Sequence, residues 1–207
     1  MVVLHHLNNS RSQRILWLLE ELGVPYEIKA YQRDAVTNLA PPELKAVHPL
    51  GKSPVITDDD LVIAESGAIV DYLIRTYGGG RLAPAAGTKA HEAYLEWLHY
   101  SEGSAMLPLM INLYVMRLGD AGAPLKERID GEIANNLGLI EGTLDGHDYI
   151  LAEGFTGADV QLSFVGEVAR AFGRLEPFPK IAAWVGRLHD RAAFKASIEK
   201  GGAYNLA

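Results

Sequence analysis

A proline and a glutamate–serine pair, separated by a short hairpin pattern, are the residues of this chain whose types and spacing indicate ligand chemistry. Pro54 opens an apolar run, where proline cannot donate to a strand ladder and where a cis Ser53–Pro54 bond is accessible. The backbone of Ser53 or Val55 would then face an extended ligand. Glu65 and Ser66 open a helix, where free N–H groups and a hydroxyl favour a carboxylate. The sequence therefore predicts a site for a small acidic peptide.

Ser10 is the second candidate, in the turn between the first apolar run and the first helical pattern. A serine at this point typically caps the helix, and Ser12 competes for the same role. From the residues alone we interpret Ser10 as a cap. Asn9 offers a further hydrogen-bond donor beside it.

Composition excludes several other chemistries. The chain of 207 residues has no cysteine, so disulfides, zinc–thiolate sites and cysteine nucleophiles are impossible. A net charge of −7 argues against a nucleic-acid surface, which needs clustered Lys and Arg. His5 and His6 are adjacent on a predicted strand and point to opposite faces, so no metal is expected. The first residues show no signal-peptide pattern or membrane span, and a cytoplasmic location is expected.

The elements that must position these residues follow the order βαβαββα before the three glycines at 78–80. Apolar periodicity, turn residues and the Gly23–Pro25 helix stop predict this order. The predicted elements are a strand over 2–7, a helix containing Ile15–Leu22, strand Tyr26–Tyr31, helix Pro42–Val47, strands Val55–Thr57 and Leu61–Ala64, and helix Ser66–Tyr77.

The second part of the chain has helical patterns only. Residues 81–88 are interpreted as a linker because of Pro84 and Gly87. The predicted helices cover Lys89–Leu118, Pro124–Leu144, Ala158–Phe172, Pro179–Arg191 and Ala193–Lys200. The expected fold class is an α+β N-terminal domain over residues 1–80 followed by an all-α C-terminal helical domain over residues 88–207.

Three motifs resemble the cytosolic glutathione S-transferases: N-S-R-S-Q-R-I-L-W-L-L-E-E-L-G-V-P-Y-E near the start, G-K-S-P-V-I, and E-S-G-A-I-V-D-Y-L. Their order and spacing resemble the family more specifically than any one of them does. The resemblance implies a thioredoxin-like first domain that binds glutathione. It implies that Ser53, before Pro54, pairs with the cysteinyl part of glutathione, that Glu65 and Ser66 hold the γ-glutamyl end, and that Lys52 lies near the glycyl carboxylate.

The same resemblance reverses the interpretation of Ser10. The family's serine-type members place their catalytic hydroxyl at this point, so Ser10 is expected to donate to the glutathione sulfur, with Asn9 as the alternative donor. The tyrosine-type branch carries a tyrosine near the end of the first strand, where this chain has His5 and His6. The cysteine-type branches are excluded by composition.

The function that the resemblance implies is glutathione transfer to an electrophilic, hydrophobic substrate or to a peroxide oxygen. A homodimer is expected, with an apolar cosubstrate pocket supplied by the helical half. Tyr100, Met106, Met110, Tyr114 and Met116 are candidates for the core, a subunit contact or that pocket. The alternatives are a glutathione-dependent isomerase or dehalogenase, and a non-catalytic glutathione-binding or regulatory protein.

Overall fold

The computed structural model of the protein describes residues 1–206, which divide into two units. The first unit is Met1–Ala83 together with the segment that begins at Leu188. The second unit is Pro84–Arg187. The boundary between them lies in the segment that the sequence indicates as a linker.

The first unit is built on a four-stranded sheet in the order β2-β1-β3-β4. β1 is parallel to β2 and antiparallel to β3, and β3 is antiparallel to β4. Its elements are β1 (Val2–Leu7), α1 (Ser12–Leu22), β2 (Tyr26–Tyr31), α2 (Leu44–Val47), β3 (Val55–Asp58), β4 (Leu61–Ala64) and α3 (Ser66–Tyr77). The expected βαβαββα order is confirmed, and α2 is shorter than expected.

Helix α1 is the centre of this unit's core. Its apolar residues from Ile15 to Leu19 are fully buried, and the helix packs against α3 and against β1. Gly23 ends α1 in the left-handed region at φ 68°, with its N–H donating to the carbonyls of Leu19 and Glu20. A glycine takes this conformation without the steric cost that a Cβ would impose.

The last helix, α9 (Ala192–Gly201), also packs against α1. The sequence placed all of residues 88–207 in the helical half, whereas the structure groups the segment from Leu188 onward with the first unit. The reason is a set of contacts distant in sequence. Gln13 Nε2 donates to Ser197 Oγ at 3.0 Å, and Arg191 pairs with Glu21 at 2.6 Å.

The second unit is helical. It contains α4 (Lys89–Tyr100), α5 (Met106–Val115), α6 (Ala123–Thr143), α7 (Gly157–Ala171) and α8 (Pro179–His189), the last ending across the unit boundary. The expected continuous helix over Lys89–Leu118 is interrupted by a π-helical turn at Ser101–Ala105 and a 3₁₀ segment at Met116–Gly122. The first break contains two serines and a glycine, which have weaker helix preference than most residues, and Ser101 Oγ donates to the Gln161 carbonyl at 2.9 Å.

Candidate functional site

Strand β3 places Ser53 at the carboxyl end of β1. The Ser53–Pro54 bond is cis, as expected. The pairing of β3 with β1 starts at His5–Val55, and Ser53 Oγ donates to the His5 carbonyl at 2.8 Å. Ser53 therefore lies just beyond the ladder, and within residues 1–206 its N–H and C=O have no backbone partner. That backbone can pair with an extended peptide.

Helix α3 begins directly after β4 with an unusual residue. Glu65, the N-cap, has φ 68° and ψ 113° and makes no side-chain cap hydrogen bond. A non-glycine residue at such angles costs about 1–3 kcal/mol, and such residues cluster at ligand sites. The first bond of the helix runs from Ile69 N–H to the Glu65 carbonyl at 2.9 Å. Glu65 is exposed and Ser66 is buried. Because no side chain caps the helix, the N–H groups of its first turn are available to a ligand.

Arg14 belongs to this candidate site, and the sequence interpretation missed it. It is only 2% exposed on α1, and its Nη2 donates to Ser66 Oγ. The hydroxyl of Ser66 accepts this bond, so its own proton can be donated to an anionic ligand. A guanidinium beside a helix N-terminus makes this corner favourable for a carboxylate. The signal in the sequence was an arginine immediately before the apolar run of α1.

The structure does not bring every candidate into this corner. Lys52 is exposed, and no hydrogen bond or ion pair joins it to Glu65 or Ser66 in the described chain. Pro54 is buried and places Ser53 at the start of β3. Ser53, Glu65 and Ser66 are thus fixed by the fold, whereas Lys52 is a surface side chain beside them in sequence.

Ser10 is buried in the β1–α1 turn, 6% exposed. Its hydroxyl lies 2.8 Å from the Leu7 carbonyl and 2.9 Å from Ser12 Oγ. It accepts the backbone N–H of Ser12 at 3.2 Å. These contacts are those of a residue that caps the first turn of a helix. To donate a hydrogen bond to a ligand, the Ser10 hydroxyl must give up the hydrogen bond that it donates inside the protein.

Asn9 adopts φ 49°, and its Oδ1 accepts the Asn205 N–H at 2.7 Å. Arg33 stabilises this turn by hydrogen bonds. Its guanidinium donates to the carbonyls of Asn8, Asn9 and Asn38 at 3.0–3.1 Å. Neither Arg33 nor Asn205 was found from the sequence, because both come from distant segments without a local motif.

The two histidines of β1 point to opposite faces of the sheet, as expected. His5 Nδ1 lies 2.9 Å from Tyr31 Oη, and His6 Nδ1 lies 2.9 Å from Ser12 Oγ. Burial lowers the pKa of both imidazoles, and the charge of Lys29 lowers that of His5 further. Both rings are therefore neutral near pH 7.

The helical unit carries an open groove of about 690 Å³ beside the π-helical turn. Of the candidates on the first long helix, Tyr100 lines this groove, Met106 is buried, and Tyr114 and Met116 are exposed. Tyr100 Oη donates to Asn136 Oδ1 at 2.8 Å, and burial raises the pKa of Tyr100 to about 12. Tyr100 is consequently a neutral hydrogen-bonding group.

Residues 1–206 lack both a metal-binding cluster and a membrane-spanning helix. Nowhere in this range do three or more His, Asp or Glu side chains come together as a metal ion would need. Across the same residues, every helix is too short or too polar to cross a bilayer.

Comparison with known proteins gives a consistent match along the chain. The family model for the glutathione S-transferase N-terminal domain matches residues 1–75, and that for the C-terminal domain matches residues 92–192. Glutathione S-transferase 3 of Schizosaccharomyces pombe is 38% identical over 97% of this chain and 88% of its own length. Glutathione S-transferase 1 of Saccharomyces cerevisiae is 32% identical over 97% of this chain and 95% of its own.

Solved structures agree with this match. A glutathione S-transferase from Actinobacillus pleuropneumoniae superposes with a TM-score of 0.92 at 36% identity, covering 100% of this chain and 95% of that one. A family member from Pseudomonas fluorescens, solved with two glutathione molecules bound, has a TM-score of 0.80 at 25% identity and covers 96% of this chain and 92% of that one. The expected fold class is confirmed.

Proposed function

Because the chain belongs to the glutathione S-transferase family and is a transferase enzyme, we propose that it binds reduced glutathione and transfers the glutathionyl group, through its sulfur, to an electrophilic carbon of a hydrophobic substrate. The observation that carries this proposal is the pairing of two open features in the first unit. The backbone of Ser53 lies beyond the β1–β3 ladder, and the uncapped start of α3 is joined by the buried Arg14. An extended peptide with a free carboxylate matches both features.

Each part of glutathione has a partner in this arrangement. The cysteinyl N–H and C=O pair with the backbone of Ser53, which Pro54 holds at the mouth of β3. The γ-glutamyl carboxylate binds the Ser66 hydroxyl and the N–H groups at the start of α3, with Arg14 behind. The γ-glutamyl ammonium pairs with the exposed carboxylate of Glu65. Lys52 is free to move to the glycyl carboxylate.

The chemical step begins with the thiol. A free thiol has a pKa of about 8.5, so only a few per cent is thiolate at neutral pH. A hydrogen bond donated to sulfur favours the anion, and the N-terminal end of α1 acts in the same direction. Ser10 is the proposed donor, and Asn9, whose amide carries two N–H groups, is the alternative. The thiolate then attacks the electrophile and displaces its leaving group.

Calorimetric titration with reduced glutathione tests the binding proposal. We expect wild type to bind, and Glu65→Ala and Ser66→Ala each to lose about ten-fold in affinity, since a hydrogen bond to a charged group contributes about 1.5–3 kcal/mol. Asp60→Ala, which removes an exposed carboxylate from the neighbouring hairpin turn, is the matched control and should bind as wild type does. Absence of binding to wild type, or equal affinity in all four proteins, contradicts the proposal.

The proposal extends to assembly. A homodimer is expected from the family resemblance, and sedimentation velocity of the purified chain tests it. If the chain sediments as a monomer at all micromolar concentrations, the proposed homodimer is contradicted. The proposal of glutathione binding is not affected by that result.

A further inference from the structure

A buried chain of hydrogen bonds runs from the proposed thiol-activating serine into the core of the first unit. Ser10 Oγ lies 2.9 Å from Ser12 Oγ, and Ser12 Oγ lies 2.9 Å from His6 Nδ1. On the other side of the ring, His6 Nε2 lies 3.1 Å from the Gly201 carbonyl of α9. Ser10, Ser12 and His6 are all at most 6% exposed.

The acceptors at the two ends fix where the protons lie. A carbonyl only accepts, so His6 must donate its Nε2–H to Gly201. The ring is neutral because burial lowers its pKa, so Nδ1 carries a lone pair and accepts the Ser12 hydroxyl. A serine has one proton, and Ser12 Oγ also lies 3.1 Å from the Leu7 carbonyl. Only donation to His6 gives the Nδ1 lone pair a partner at 2.9 Å, so we assign the Ser12 proton to His6.

The direction of the Ser10 proton follows. It points inward, to the Leu7 carbonyl or to Ser12 Oγ. The ligand-facing side of Ser10 Oγ therefore offers a lone pair and accepts a hydrogen bond from a thiol. Ser10 can donate to a thiolate in two ways: its hydroxyl rotates away from the inner acceptor, or it takes the thiol proton and passes its own proton inward.

We propose that His6 takes the proton of the glutathione thiol through Ser10 and Ser12. The inference rests on the proposed function, because glutathione is the proton donor. The thiol proton moves to Ser10 Oγ, the Ser10 proton moves to Ser12 Oγ, and the Ser12 proton moves to His6 Nδ1. One S–H bond breaks, one N–H bond forms, and both hydroxyls remain neutral. The products are a thiolate that accepts a hydrogen bond from Ser10 and an imidazolium that donates through both nitrogens.

The reverse sequence completes the cycle. When the thiolate has attacked, His6 returns its proton to Ser12, Ser12 passes one to Ser10, and Ser10 gives one to the departing anion. His6 and Ser12 act through Ser10, so they are positioning residues for the reaction rather than groups that touch the substrate.

The packing of α9 against α1 keeps His6 in the required tautomer. A Cβ at position 201 would lie 2.8 Å from Gln13 Oε1, 2.8 Å from Leu16 Cδ2 and 3.3 Å from His6 Nε2. A larger residue at position 201 would therefore require the Gln13 and Leu16 side chains to shift. The Gly201 carbonyl favours the protonated ring, opposing the larger effect of burial on the pKa.

Charged groups on the helices that pack around His6 have partners other than this ring. On α1, Arg14 donates to Ser66 and Glu20 pairs with Lys200 of α9 at 2.6 Å. On β2, the residue in register with His6 is Ala30. The groups of these two helices that are hydrogen-bonded to the ring are Ser12 Oγ and the Gly201 carbonyl. In the proposed relay, the thiolate supplies the negative charge that balances the imidazolium.

Wild-type enzyme with bound glutathione provides the first test. The thiolate–imidazolium pair and the thiol–imidazole pair hold the same number of protons, so their ratio is independent of pH between the two macroscopic pKa values. We expect ultraviolet thiolate absorbance to show such a plateau at neutral pH. The NMR signals of the imidazole nitrogens should show His6 doubly protonated when glutathione binds. A neutral His6 in a complex that contains thiolate overturns the proposal.

Variants provide the second test. His6→Asn keeps an acceptor for Ser12 but cannot take a proton, and Ser12→Ala breaks the chain in the middle. We expect both to lose the thiolate plateau, and turnover to fall on the order of 10²-fold, as for removal of a general base. His5→Asn, a buried histidine on the other face of β1, is the control and should keep the plateau. An unchanged plateau in folded His6→Asn overturns the proposal, and if that variant does not fold, the wild-type NMR result decides.

The outcomes separate this inference from the proposed function. If Ser10→Ala raises the thiol pKa and His6→Asn does not, glutathione transfer stands and the relay fails. If wild type binds no glutathione, both fail.

Discussion

The β1–α1 turn (residues 8–12) and the hairpin–helix segment (residues 53–66) supply the two halves of the candidate site, and they are held in different ways. In the turn, the side chain of Ser10 is engaged internally, and the backbone of Asn9 is bound by Arg33. In the segment, the backbone N–H and C=O of Ser53 have no backbone partner among residues 1–206, and no side-chain hydrogen bond caps the start of α3. The segment, which is proposed to bind glutathione, is the open half of the site, and the turn, which is proposed to act on the thiol, is the closed half.

The difference indicates that the two halves have different roles in binding and in turnover. Backbone groups that are already unpaired cost little to present to a ligand, so the proposed binding of glutathione to the segment requires no rearrangement of these groups. A buried hydroxyl that donates inward must exchange one acceptor for another before it can help a thiolate. Substitutions in the turn should therefore change turnover more than affinity, and substitutions in the segment should do the reverse.

The largest expected effect comes from Ser10→Ala. Loss of one donor to a developing anion typically costs on the order of 10²-fold in rate, so kcat should fall by about that factor while glutathione affinity is kept. The pH–rate profile with an aromatic electrophile should shift upward, because the bound thiol loses the group that lowers its pKa. Steady-state kinetics across pH measure both.

Asn9→Ala is the matched comparison for that experiment. It removes the neighbouring donor and leaves Ser10 in place. If Asn9→Ala loses rate and shifts the profile while Ser10→Ala does not, Asn9 is the donor and the assignment of Ser10 is wrong.

The contrast between the halves also explains what the sequence could predict. The segment was predicted from neighbouring residues: the cis bond before Pro54, the hairpin, and a helix over Ser66–Tyr77 are all confirmed. Its determinants are local, because a proline restricts its own backbone and a helix start needs only the next few residues.

The turn could be predicted only as a location. Its conformation depends on Arg33, on Asn205 and on the contact between His6 and Gly201, whose partners lie 24 to 196 residues away. No local pattern marks such residues, because their role exists only after β2 and α9 have packed beside β1. The same limit applies to Arg14, which is interpretable as an anion-binding residue only when Ser66 is known to lie beside it.

Arg14→Lys should have the next largest effect, and on binding. A lysine at this buried position keeps the charge but loses the planar fork that reaches Ser66. Glutathione affinity should fall about ten-fold, the scale of one hydrogen bond to a charged group. Calorimetry measures it, with Arg75→Lys, an exposed arginine on α3, as the control. A fall in kcat with affinity unchanged would contradict the division between the two halves.

Arg33→Lys tests whether the closed half depends on the hydrogen bonds that Arg33 donates. The guanidinium of Arg33 donates to three carbonyls, and an ammonium cannot reproduce that geometry. We expect the free energy of unfolding to fall by about 1–2 kcal/mol and kcat to fall a few-fold as Ser10 loses its fixed position. Urea unfolding and turnover are measured on the same preparation. Wild-type kcat in a clearly destabilised variant would show that the turn does not position Ser10.

The smallest expected effect is a pH dependence of stability caused by the two buried histidines of β1, which lead into the closed half. Burial lowers the pKa of His6 and of His5 from 6.5 in the folded protein. Below about pH 6.5 the unfolded chain therefore binds protons that the folded chain does not, and stability rises with pH in this window and is lost on acidification. The urea midpoint should decrease as the pH is lowered from about 7.5 to about 5.5, which is above the range in which carboxylates titrate.

His6→Asn should weaken this pH dependence, and the double variant with His5→Asn should weaken it further. A midpoint that rises on acidification, or an undiminished slope in the double variant, would show that these imidazoles do not control stability in this range. Bound glutathione should oppose the loss in wild type, because a thiolate at Ser10 favours the protonated form of His6.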